Sequence, residues 1–154
     1  MDILVQNEPA VHYPAGDQRG GRDRATFAET EMQLLLALKS PAGVMADCSE
    51  MVTELCHMAG LQDPNGLGYR YAGYTGTMLE HLPHYTKAKA ANVGALVVFG
   101  PGTGHHVCMV RKPGANPLLF SHGQERGPMF ISLSQEAKYQ PAPTTFLSIA
   151  HLGG

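Results

Sequence analysis

The sequence predicts an α+β fold, with helices in the first half and an antiparallel sheet in the second. Two helix-period apolar stretches begin at capping signals before residue 60, and from Val93 the period changes to that of strands. Gly/Pro turns such as GPGTG at 100–104 and KPGANP at 112–117 separate the later runs.

Residues 1–25 are rich in Gly, Asp, Arg and Pro after a short apolar start, and read as an irregular or partly extended lead-in. At Thr26 the sequence TFAE offers an N-cap with Glu at N3, and a helix over 26–39 ends where Ser40-Pro41-Ala42-Gly43 stops it. Asp47-x-x-Glu50 repeats the capping pattern. Apolar residues then fall at Cys48, Met51, Val52, Leu55, Cys56 and Ala59, one stripe of a helix that closes at Gly60. Residues 61–76 read as a loop, and Thr77-x-x-Glu80 caps a short helix broken at Pro83. The runs 95–99, 106–110, 117–121, 129–133 and 145–149 are the expected strands of an antiparallel meander.

At 154 residues the chain is long enough for one domain with a hydrophobic core and too short for two ordinary ones. A net charge of −2 with dispersed Lys and Arg gives no stripe to hold a phosphate backbone, so nucleic acid is not an expected partner. No run approaches the roughly 20 apolar residues that span a bilayer, and the start lacks the basic and apolar regions of a secretory leader. Membrane association and export through a cleaved signal are therefore not expected. The three cysteines include two, Cys48 and Cys56, that lie eight residues apart on one expected helix, too far to pair. That usage fits a reducing compartment.

The candidate nucleophile is Cys48, at the first helical position after its cap. Backbone N–H groups there lack intrahelical partners and the helix dipole favours an anion, which lowers a thiol pKa and offers a donor to an oxyanion. Asp47 opposes this unless its carboxylate is engaged in capping. Cys56 and Cys108 occupy no such position. His106 opens a strand whose alternation puts His106, Cys108 and Val110 on one face. A hairpin symmetric about Gly114 pairs 108 with 120 and 106 with His122, close enough for the second imidazole to orient the first. A slip of one residue would send His122 to the other face. Zinc bound by His105, His106, Cys108 and His122 is the competing reading, weakened because adjacent strand residues point to opposite faces.

DCSEMV at 47–52 resembles the nucleophile motif of NlpC/P60 and related papain-like peptidases. GALVVFG at 94–100, GHHVCMV at 104–110 and LLFSHG at 118–123 are similar to that family's following strands, in the same order. The resemblance implies a papain-like fold in which Cys48 is the nucleophile, His106 the base and His122 the orienting residue. Asp47, Ser49, His105 and Glu125 are the expected flanking contacts to substrate. Glu125 is also the reserve third catalytic residue, since that residue is often acidic in the related CHAP amidases. The family's aromatic residue shortly before Asp-Cys-Ser is missing from AGVMA at 42–46. Relatives cut peptidoglycan stem peptides, commonly between D-glutamate and the diamino acid, which implies a phage lysin domain. Such a protein is made in the cytoplasm and reaches the bacterial wall through a holin or from a virion. It is expected to be a monomer with no cofactor and no metal. A CHAP-like N-acetylmuramoyl-L-alanine amidase and a non-catalytic assembly module are the other readings.

Overall fold

The structure, a computed structural model, describes residues 1–14, 28, 30–70, 73–85, 92–123 and 127–153. In chain order the main elements are α1 (Asp2–Gln6), β1 (Val11–His12), α2 (Glu31–Lys39), β2 (Val44–Met45) and α3 (Cys48–Met58). They continue through α4 (Thr75–His81), β3 (His84–Tyr85), β4 (Leu96–Phe99), β5 (His106–Lys112), β6 (Leu118–Ser121) and β7 (Met129–Ser132). α5 (Leu133–Glu136) and β8 (Thr144–Leu147) complete the set, before a closing 3-10 turn at Ala150–Gly153.

Local chemistry explains most of these boundaries. α3 starts at the expected capping box: the Asp47 carboxylate accepts the Glu50 N–H at 2.9 Å, and the Glu50 carboxylate accepts the Asp47 N–H at 3.1 Å. α2 begins later than expected, capped by Thr30 with Gln33 returning the bond. The expected cap at Thr26 lies outside the described residues. α4 likewise begins two residues before Thr77, whose hydroxyl serves as the N3 partner of the Tyr74 N–H. The described part of the lead-in, residues 1–14, is more ordered than its composition suggests, since α1 and β1 fall within it.

α3 is buried on nearly all sides and lies between two apolar clusters. Cys48, Val52 and Cys56 meet Leu96, Val98, Val107, Met109 and Leu147 of the sheet. Met51 meets Leu4, Leu34, Leu38 and Phe120 on the other flank. Met51 is fully enclosed, and truncation to Ala there would cost about 2–5 kcal/mol from lost contacts and the cavity left behind.

All five expected strands form, and the six-stranded sheet runs β3-β8-β4-β5-β6-β7 with every observed pairing antiparallel. It is not a pure meander. β4 to β7 follow one another, but β8 returns to the far side of β4. The second sheet face, built from Ala95, Val97, Phe99, Cys108, Val110, Leu119, Ile131 and Phe146, packs with Leu133 of α5.

The hairpin register departs from expectation and moves the functional residues. Lys112 pairs with Leu118, which centres the connection on Ala115 instead of Gly114. A bulge between Val110 and Lys112 then leaves Val110 opposite Leu119 and Met109 opposite Phe120. The net slip is one residue. Continued along the strands, it puts Ser121 across from Cys108 and turns His122 to the α3 side.

Candidate functional site

The cap of α3 delivers Cys48 to the end of β6. Met109 pairs with Phe120, so the next inward N–H on that edge of β5 belongs to Val107, and β6 stops at Ser121 before it can accept it. The Cys48 thiol takes that bond, together with the Ser49 N–H and the Tyr13 hydroxyl. Cys48 is 6 % exposed. Burial pushes its thiol above the ordinary value, Asp47 adds to the rise, and the three donors oppose it. The resting sulfur is thus a protonated thiol, ringed by groups that would stabilise it once ionised.

Asp47 and Ser49 are both buried, and the Ser49 hydroxyl donates to the Asp47 carboxylate at 2.8 Å. Their polar atoms serve the helix start. Tyr13 was not singled out by sequence, because its approach to Cys48 depends on how the lead-in folds back. Its ring also lies 5.4 Å from that of His122.

His122 is on the same side of the sheet as Cys48 and is 2 % exposed. Its Nε2 faces two carbonyl oxygens, Ala46 O at 2.8 Å and His12 O at 3.3 Å. Carbonyls only accept, so Nε2 carries the proton and Nδ1 is left as the acceptor. Nδ1 makes no hydrogen bond among the described residues. Burial lowers the pKa of this imidazole, and the two carbonyl bonds counter in part. The tether on Ala46 anchors His122 two residues before Cys48.

His106 points the other way, which corrects the expectation that it serves Cys48. Val107 and Met109 share a cluster with Cys48, whereas Cys108 and Val110 belong to the opposite face, and alternation puts His106 with them. His106 Nε2 lies 2.9 Å from the Ser121 hydroxyl and 3.5 Å from Glu136 Oε1, and its ring stacks near Phe99. Ser121 and Gln140 donate to the same carboxylate oxygen at 3.3 and 3.0 Å. The expected pairing of His106 with His122 fails because of the one-residue slip, which turns His122 to the α3 side. It also divides the zinc set drawn from sequence, leaving His106 and Cys108 on one face and His122 on the other.

His105 is exposed, with its ring against Gly100. Glu125 lies outside the described residues. Ser121 and Glu136 were missed by sequence, although Ser132-x-x-Gln135 is a capping pattern that announces α5: the Ser132 hydroxyl accepts the Gln135 N–H. Cys48, Cys56 and Cys108 are all buried, and none is in a disulfide among the described residues. Burial, with Asp63 adding to it, pushes the Cys56 thiol up to about 12.

Comparisons with protein-family models, with curated proteins and with solved structures found no match.

Proposed function

We propose that the chain is a thiol-dependent peptidoglycan hydrolase acting on an amide of the wall stem peptide, with Cys48 as nucleophile and His122, not His106, as base. The observation that carries this reading is the setting of Cys48: first turn of a capped helix, with two backbone N–H groups and a tyrosine hydroxyl directed at its sulfur. The papain-like form of the fold belongs to the same reading, supported by a thiol-bearing helix against an antiparallel sheet.

In this mechanism His122 Nδ1 takes the thiol proton as Cys48 Sγ attacks the amide carbonyl. The Cys48 N–H, which lacks an intrahelical partner and at rest donates to the Tyr13 oxygen, and the Tyr13 hydroxyl are the candidate donors to the oxyanion. The imidazolium returns its proton to the departing amine, and water activated by His122 then releases the acyl group. The residue resemblance supplies the substrate class, with the D-glutamyl to diamino acid bond first and the muramoyl-alanine bond second. A phage lysin acting as a monomer on the wall is the corresponding biological setting.

One observation favours a different class. No histidine hydrogen-bonds Cys48 among the described residues, and burial raises the thiol, as suits a non-catalytic module on the same scaffold. Incubation with purified peptidoglycan and mass analysis of the fragments separates the two. Turnover that falls by several orders of magnitude in both Cys48→Ala and His122→Ala supports the hydrolase, while intact peptidoglycan with the folded wild type rejects it.

A further inference from the structure

We propose that His106, Cys108 and Glu136 form a structural zinc site on the sheet face opposite Cys48. One donor atom from each lies within 4.8 Å of the other two. His106 and Cys108 stand two apart on β5, and Glu136 ends α5, whose Leu133 packs on the same sheet face. His106 Nε2 and Glu136 Oε1, at 3.5 Å, are already about one tetrahedral edge apart for zinc bonds of roughly 2.0–2.2 Å. The Cys108 sulfur, within 4.8 Å of the other donors, completes the set.

Charge argues in the same direction. Glu136 is 1 % exposed and Cys108 0 %, so a cation held among them and His106 would meet the carboxylate with little solvent screening. Zinc with one carboxylate, one thiolate and a neutral imidazole is electrically balanced. Binding releases the Cys108 thiol proton to solvent and moves the imidazole proton from Nε2 to Nδ1. The donors are also preoriented. Ser121 and Gln140 both donate to Glu136 Oε1, so one of these bonds gives way when that oxygen takes the metal, and Phe99 backs the imidazole. Ser121 Oγ stands beside both His106 and Glu136, where the fourth ligand or its hydrogen-bond partner belongs. His106 is only 5 % exposed, so a peptide substrate has no approach. The site is therefore structural, and its work is to fasten α5 to β5.

The competing account is a buried His106–Glu136 ion pair that binds no metal. Chelator-stripped full-length protein is titrated with zinc against a chromogenic chelator and then, separately, loaded with cobalt. The expected result is one zinc per chain, a rise in Tm with zinc, and a near-ultraviolet thiolate-to-cobalt band. Zinc affinity should fall at least about 100-fold in Cys108→Ser, His106→Ala and Glu136→Gln. If those variants do not fold, Cys48→Ala and Cys56→Ala decide: a cobalt–thiolate band kept in both assigns the sulfur to Cys108. Folded wild type that binds no stoichiometric zinc, or a band lost in Cys48→Ala or Cys56→Ala, overturns the proposal.

Discussion

His122 is fixed in one protonation pattern by two carbonyls that can only accept, and that arrangement has a pH signature. Burial holds its pKa below the ordinary 6.5, so the unfolded chain binds a proton that the folded protein refuses. Its contribution to stability is complete above the unfolded value and is lost as pH falls from 6.5 through the lowered folded value. We expect Tm to decline as pH falls below 6.5, with a shallower decline in His122→Gln. Equal slopes would mean that another group titrates. Cys48 has the opposite sign: its raised pKa makes the folded protein keep a proton that the unfolded chain loses, so stability falls as pH rises past 9.0. Iodoacetamide should react fastest at Cys48, with a rate still climbing above that pH, and peptide mapping checks the position. A plateau below it would contradict the burial argument.

At the scale of elements, the cap of α3 lets structure and reactivity be separated. Asp47→Asn preserves a good N-cap while removing the charge that raises the thiol, so Cys48 should alkylate faster at fixed pH with Tm nearly unchanged. Asp47→Ala should also alkylate faster but lose about 1 kcal/mol in denaturant titration. Signals of this local kind were legible in the sequence. The Asp47/Glu50 box, the α3 stripe and all five strands depend on residues within a few positions of one another. The registers were not legible, because which residue of β5 is skipped at the bulge depends on twist and on packing from both faces, and no short motif encodes it. That single uncertainty exchanged Ser121 for His122 as the neighbour of His106. Glu136 escaped for a related reason. Its helix is announced by Ser132 and Gln135, but its position under β5 follows from the topology alone.

For the molecule as a whole, the sheet is a partition, with α3 and the thiol on one side and the His106–Glu136 cluster on the other. β4 and β5 are covered on both faces and paired on both edges, so their amides should be the slowest to exchange with deuterium, while those of β3 and β7 exchange sooner. Uniform exchange across the sheet would argue against this layering. No described helix is long and apolar enough to cross a membrane. The bulge in β5 has an evolutionary corollary. Because orientation alternates residue by residue, gaining or losing one codon within β6 would turn over everything beyond it and carry His122 to the wrong compartment. Two codons would restore the original facing, so viable length changes inside that strand should arrive in even numbers.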